Sequence, residues 1–316
     1  MLLNIVLLLA GFVLLLKGAD FFVDAASSLA RKMKVSEMAI GLTVVSFGTS
    51  APELLVNVMA SVEGSSSLVL SNVIGSNIFN ILLILGVSGA IYPLVVQKNT
   101  VWKEIPFSLL AVIILFASVT GLFALTGEGH AISRLDGAIY LLVFIAFLVY
   151  VYRMAGIDAS MDVPVENANF VKIVLFLVAG ILGLVLGGRL VVTAAVDISS
   201  GLGVSQRLIG LTIVSAGTSL PELATSAVAA YRKKSDMAVG NVIGSNIFNI
   251  FFILGISAVI RPVAYDRAFD GEMVLLGAAT LFIFIAMFTG KRKILDRWEA
   301  ALLLLTFCAY WVYLVV

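Results

Sequence analysis

Residues Asn72–Ile81 read NVIGSNIFNI, and residues Asn241–Ile250 read NVIGSNIFNI again without one substitution. Both copies lie inside long apolar stretches, where amides and hydroxyls are costly unless they find partners. The duplication extends upstream. Ile40–Leu54 reads IGLTVVSFGTSAPEL and Ile209–Leu223 reads IGLTIVSAGTSLPEL, identical at twelve of fifteen positions. Thr49 and Thr218, Glu53 and Glu222, Ser76 and Ser245, and Asn80 and Asn249 are each 169 residues apart, as are Val35-Ser36 and Val204-Ser205. One constant offset means that the two copies diverged without insertion, so the chain is a tandem duplication built around two polar segments.

The surroundings of those segments are membrane-like. Of 316 residues, 61% are hydrophobic and 12% charged, against roughly a quarter charged in soluble domains; the mean hydropathy is +1.13. A bilayer-crossing helix needs about 20 apolar residues. Candidate runs are Leu2–Leu16, Leu82–Val96, Phe107–Leu125, Ala138–Val151, Val171–Leu186, Val274–Met287 and Ala300–Val316. Apolar stretches interrupted by polar residues lie between them, at Ala39–Ala60, Leu68–Leu82, Leu208–Ala230 and Met237–Leu254. The expectation is an all-α polytopic membrane protein of ten transmembrane helices. Residues 1–154 form the first five-helix repeat, 155–168 a cytoplasmic linker and 169–316 the second repeat. With five helices per repeat, the second enters from the opposite face, and such inverted repeats place transport sites between broken helices at the midplane. Met1–Leu16 has no basic residue before Lys17 and a repeat partner downstream, so it reads as a retained first helix rather than a signal peptide.

Charge sets the orientation. On a ten-helix topology fourteen Lys and Arg fall on one side and five on the other, and the richer side is cytoplasmic. Both termini are then extracytoplasmic, in a multi-pass protein of the cell membrane. A net charge of +1 gives no sign of nucleic-acid binding; the basic loops serve topology and face the lipid bilayer. Cys308 is the only cysteine, so intrachain disulfides and thiolate metal clusters are excluded. It is assigned to helix packing.

The polar segments carry the chemistry. Pro52 and Pro221 remove an amide hydrogen and break their helices, which should free carbonyls around Ser46–Thr49 and Ser215–Thr218. Thr49 and Glu53 share a helix face, as do Thr218 and Glu222, Ser76 and Asn80, and Ser245 and Asn249. A carboxylate at mid-bilayer costs roughly 2.5–3.5 kcal/mol on insertion scales and marks ion or proton pathways. Two of them brought together cannot both stay ionised without counter-charge. The surrounding ligands are all oxygen, which suits hard cations such as Ca²⁺ with its 6–8 oxygen ligands. Zn²⁺ or Cu²⁺ would call for imidazole or thiolate, and the only histidine, His130, falls in a loop. The residues therefore point to Ca²⁺ and Na⁺.

The paired GTSxPE and GNxxGSN-type segments resemble the two alpha-repeats of the sodium/calcium exchangers, within the cation/calcium antiporter superfamily. The resemblance covers the whole chain and is strongest over 35–90 and 204–260; without a large regulatory loop, it is to the compact microbial type. It implies Ca²⁺ ligation by Glu53 and Glu222, assisted by Thr49 and Thr218. It implies Na⁺ positions built from Ser50, Ser219, Ser76 and Ser245 with backbone oxygens of Ser46 and Ser215, and it places Asn80 and Asn249 at the centre. Several relatives carry Asp where Asn249 stands, so this site is less negative, about −2, and without the charge associated with K⁺ dependence. Antiport of Na⁺ against Ca²⁺ is implied, with no cofactor and no obligatory protein partner.

Other readings weigh against this one. A proton/calcium antiporter would protonate a glutamate instead of binding Na⁺. An intramembrane protease would need a serine–base pair, an aspartate pair or a zinc motif, and none is present, so the chain does not read as an enzyme. A passive channel would carry uncoupled flux. Asn77 and Asn246 read as structural, Asn72 and Asn241 are evenly balanced, and the repeat glycines read as packing positions. Asp20 reads as an interfacial charge, and Arg232–Lys234 with Asp236 as a solvated loop.

Overall fold

A computed structural model describes residues 2–120, 131–155, 169–203, 215–289 and 293–315. In chain order the helices are α1 (Leu2–Met33), α2 (Glu37–Thr49), α3 (Ala51–Glu63), α4 (Ser66–Ile91), α5 (Thr100–Val119), α6 (Arg134–Ala155), α7 (Phe170–Gly201), α8 (Leu220–Tyr231), α9 (Ser235–Ile260), α10 (Asp270–Ala286) and α11 (Arg297–Val315). Seven helices are long and apolar enough to cross a membrane, and the bent pair α2–α3 makes an eighth when taken as one span. The linker residues 156–168, His130 and the stretch 204–214 lie outside the described residues.

Local sequence explains the break that shapes the site. Ser36 caps α2, its Oγ accepting from the Ala39 amide at 3.1 Å. Helix α2 loosens into a π-turn over Gly41–Val45 and ends at Ser50, whose φ of −82° and ψ of 8° leave the helical region. Pro52 then sits in the first turn of α3, where a missing amide hydrogen costs nothing. The two arms meet at 51°. Gly64 closes α3 at a left-handed φ of 81°. In the second half Ser219 precedes α8, with Pro221 in its first turn, and only the short turn Ser215–Gly217 of the upstream arm is described.

Helices α4 and α9, which carry the duplicated stretch, form the buried centre; α1 and α7 lie outside with apolar side chains such as Leu9, Val13, Leu175 and Leu182 exposed. These two outer helices pack on each other through small residues. A Cβ on Gly18 would lie 2.7 Å from the Leu184 amide, and one on Gly187 would lie 2.6 Å from the Leu15 amide; close backbone approach of this kind drives helix association in lipid. Leu15 and Leu184 are themselves 169 apart, so the contact is reciprocal. The two-residue strands cross in the same manner. Strand β1 (Leu94–Val95) pairs with β4 (Ile294–Leu295), and β2 (Ala131–Ile132) with β3 (Val263–Ala264), both antiparallel. Each pair joins one half to the other, the internal equivalent of an isologous contact.

Several expectations need correction. The apolar run Leu2–Leu16 opens a helix that reaches Met33, and Asp20, read as an interfacial charge, pairs with Arg232, as does Asp24. That same pairing shows Arg232 to be an anchored side chain rather than part of a solvated loop, and Gln97 likewise donates to Asp236 at 2.5 Å. Cys308 is exposed, on the outer surface of α11, and takes no part in packing. The π-turns at Phe79–Ile84 and Phe248–Ile253 have no proline or glycine to announce them.

Candidate ion-binding site

Glu53 and Glu222 occupy the first turns of α3 and α8, each 1% exposed. The halves hold each other's carboxylates. Ser219 Oγ donates to Glu53 Oε1 at 3.1 Å, and Ser50 Oγ donates to Glu222 Oε1 at 2.9 Å. Each of these serines also touches the duplicated stretch: Ser50 lies 3.1 Å from Ser245 Oγ and Ser219 lies 3.2 Å from Ser76 Oγ. The crossing follows from the breaks, since each serine precedes the proline that turns its own glutamate inward.

The threonines are braced by amides. Thr49 Oγ1 is 3.1 Å from both the Val45 carbonyl and Asn241 Oδ1, and Thr218 Oγ1 is 3.4 Å from Asn72 Oδ1. In return Asn241 Nδ2 donates to the Glu222 carbonyl at 3.4 Å, and Asn72 Nδ2 to the Glu53 carbonyl at 3.5 Å. Asn72 and Asn241, evenly balanced between structure and ligation on sequence alone, are therefore the residues that tie α4 and α9 to the broken helices. The signal was present: Asn72, Ser76 and Asn80 are spaced by four and share one face.

Ser46 Oγ donates to the Gly41 carbonyl at 2.6 Å and lies 3.1 Å from the Asn241 carbonyl. Gly244 leaves room for it, because a Cβ there would sit 2.2 Å from Ser46 Oγ. One expected feature is absent. The Ser46 carbonyl keeps a helical partner, accepting the Ser50 amide at 2.9 Å, and also lies 3.4 Å from Thr49 Oγ1. Of the other expected site residues, Ser50, Ser76, Asn80, Ser219, Ser245 and Asn249 are all at most 3% exposed, and Thr218 is half-buried. The side chain of Ser215 lies outside the described residues.

Among the expected site residues, four buried acceptor oxygens have no partner: Glu53 Oε2, Glu222 Oε2, Asn80 Oδ1 and Asn249 Oδ1. Asn80 and Asn246 explain why only oxygen is left over at Asn80, since Asn80 Nδ2 donates to Asn246 Oδ1 at 3.0 Å. An unpaired buried acceptor costs about 1–3 kcal/mol, more when charged. Four together rival the net stability of a whole domain. Neither glutamate pairs with a Lys or Arg among the described residues, and no group of three or more His, Cys, Asp or Glu occurs among them. Two acids, hydroxyls and amide oxygens without a base form a donor set for hard cations.

Comparison with known proteins agrees with this chemistry. The family model described as sodium/calcium exchanger protein matches residues 3–153 and 172–316. The sodium/calcium exchanger MaX1 of Methanosarcina acetivorans is 33% identical, with 98% of each chain covered. The inner membrane protein YrbG of Escherichia coli is 35% identical, over 87% of this chain and 86% of YrbG. Solved structures of the sodium-calcium exchanger NCX_Mj superpose with a TM-score of 0.84 at 34% identity, covering 99% of both chains. On sequence, fold and length together, this chain belongs to the sodium/calcium exchanger family.

Proposed function

We propose that the chain carries Ca²⁺ against Na⁺ by alternating access, with Glu53 and Glu222 as the central ligands. The observation that supports this most directly is the set of four unpartnered acceptors, two of them carboxylate oxygens, facing no base. Ca²⁺ at this point neutralises the formal charge of −2 from the two glutamates, with Thr49, Thr218, Asn80 and Asn249 completing an oxygen shell. Na⁺ ions displace it from flanking positions made by Ser50, Ser76, Ser219 and Ser245 with the backbone of Ser46 and Ser215. An empty site keeps two charges in a dry interior, which is costly, so loaded forms cross between the open states more readily than the empty one. Exchange rather than leak follows.

The architecture suits this cycle. Helix α11 and a counterpart of the α2–α3 pair in the second half bring the spans to ten, as two inverted repeats of five over 1–154 and 169–316. The contacts sort helix ends into two groups: Lys233 packs over Tyr92 and β1 pairs with β4 at one end, while β2 pairs with β3 and Ser66 Oγ accepts from Ala264 at the other. This sorting of the ends supports the orientation drawn from the Lys and Arg bias, with both termini outside the cytoplasm. Na⁺ is preferred over H⁺ as the coupling ion, because a proton on Glu53 Oε2 or Glu222 Oε2 has no acceptor to receive its hydrogen bond. The deciding experiment is Ca²⁺ uptake into proteoliposomes under an inward-to-outward Na⁺ gradient at equal pH, with Glu222→Gln as control. Na⁺-driven uptake that the variant abolishes is expected. Uptake that follows only a pH gradient would transfer the coupling to protons.

A further inference from the structure

The charged residues outside the ion site form an arrangement that exchange chemistry alone does not use. Arg232, one residue past α8, pairs with Asp20 of α1 at 2.7 Å and with Asp24 one turn along. Lys234 Nζ donates to Ser27 at 2.5 Å and lies 3.9 Å from Asp24. The contacts tie the outer helix α1 to the end of a broken helix that carries an ion-site glutamate. The side chains of Arg232 and Asp20 are 30% and 33% exposed, so the pair is partly withdrawn from solvent screening.

The repeat offset converts this contact into a second one with its charges exchanged. Adding 169 to Asp20 gives Arg189 on α7, and subtracting 169 from Arg232 gives Glu63 at the end of α3. Both residues are exposed, and among the described residues neither makes an ion pair. The backbone at these ends matches. Gly64 and Lys233, also 169 apart, both have left-handed φ values, 81° and 60°. Neighbouring contacts are kept at both ends too: Lys233 lies over Tyr92, and Arg261, the counterpart of Tyr92, lies against Gly64, the counterpart of Lys233. The contacts of Arg232 and Lys234 with α1 are made at one end only. Topology signals would not reverse both members of a pair together.

We propose that Arg232–Asp20/Asp24 and Glu63–Arg189 are alternating ionic latches, each holding one face of the transporter shut. The inference rests on the alternating-access reading above, in which two related halves exchange conformations. In the state described here α1 is latched to α8; in the exchanged state α7 latches to α3 and the first latch opens. Asp24 and Lys234 have no charged images, since Thr193 and Ser65 stand at those positions. The first latch is thus the more heavily built, which favours the present state.

Two measurements test this. In a Cys308→Ala background, Glu63→Cys and Arg189→Cys are bridged with a short bifunctional thiol reagent in membranes, with and without Arg232→Gln. Opening the first latch is expected to raise the crosslinking yield roughly threefold, the population change that one partly exposed pair can produce. An unchanged or lower yield overturns the proposal, and this readout needs no transport. In oriented vesicles, Arg232→Gln is expected to raise the apparent Ca²⁺ affinity at the face bearing residue 232 and lower it at the other. Glu63→Gln and Arg189→Gln are expected to do the reverse, and Asp20→Arg with Arg232→Asp to return toward the parent. Equal shifts of one sign in both single variants refute the latches. Absence of Na⁺-driven uptake in the unmodified protein refutes the exchange reading instead, while the crosslinking still decides the latches.

Discussion

The two halves of the candidate ion site are built from almost the same residues, yet they are not equally enclosed. On one side Thr49 and Asn241 are fully buried, and their shared contact at 3.1 Å is reinforced by the Ser46 contact with the Asn241 carbonyl. On the other side Thr218 is half-buried, Asn72 is 9% exposed, and their contact stretches to 3.4 Å. The bonds to the two glutamates are nonetheless reciprocal and of similar length. A symmetric ligand set in an asymmetric enclosure is what a carrier needs, because one cage must serve two faces in turn. On the proposed reading, the glutamates and serines form the cage, and the unequal enclosure of Thr49–Asn241 and Thr218–Asn72 marks the more tightly closed side.

The cage residues should not distinguish the halves. Glu53→Gln and Glu222→Gln are both expected to abolish exchange, with a loss of about 100-fold or more, the scale of removing one member of a buried charge interaction. Na⁺-driven Ca²⁺ uptake measures it. Unequal losses by more than tenfold would mean that the two carboxylates are not equivalent ligands. The brace residues should distinguish them. Asn241→Ala removes contacts at 2.9, 3.1 and 3.4 Å from a fully buried position and is expected to cost about 1–3 kcal/mol. Asn72→Ala removes two contacts at 3.4 and 3.5 Å and should cost less than about 1 kcal/mol. Thermal unfolding in detergent compares them directly.

Much of this was legible in the sequence, for a definite reason. The duplication fixes which residues are equivalent, and the spacing of four places Thr49 with Glu53 and Ser76 with Asn80 on shared faces, so these and their counterparts could be named without coordinates, while Ser50 and Ser219 came from the family resemblance. What escaped depends on contacts between segments distant in the chain. Asn72 and Asn241 act on the opposite half, across 146 and 192 residues. Arg232 reaches back 212 residues to Asp20, and a local reading sees only a basic loop. The π-turns at Phe79–Ile84 and Phe248–Ile253 begin at the same place in both copies of the duplicated stretch, with no proline or glycine within them to announce the change of winding.

A smaller effect comes from the threonines themselves. Thr49→Val keeps shape and deletes a hydroxyl that meets both Val45 and Asn241, so it should cost about 1 kcal/mol and weaken Ca²⁺ binding severalfold. Thr218→Val deletes one long contact in a half-buried setting and should cost a few tenths of a kcal/mol. Calcium titration of exchange rates is the check. If Thr218 proved the more sensitive, the looser side would be a binding surface rather than the less sealed side.

The smallest effect carries a sign rather than a size. Asn57 and Ser226 are equivalent positions, one turn beyond the glutamates. Ser226 Oγ accepts from Asn241 Nδ2 at 2.9 Å, whereas Asn57 is fully buried with both amide atoms unpartnered. Ser226→Ala should therefore destabilise by about 0.6 kcal/mol, the usual worth of one interhelical bond in a membrane. Asn57→Leu, close in volume, removes two unsatisfied groups and should leave the unfolding temperature unchanged or raise it. A fall larger than that of Ser226→Ala would show that the Asn57 amide has a partner in the working protein. Because a lone cation cannot satisfy an NH₂ group as well as a carbonyl, that partner would be water, held on the face that Asn57 shares with Thr49 and Glu53. The first half would then be hydrated one turn beyond its glutamate, and the second half would not.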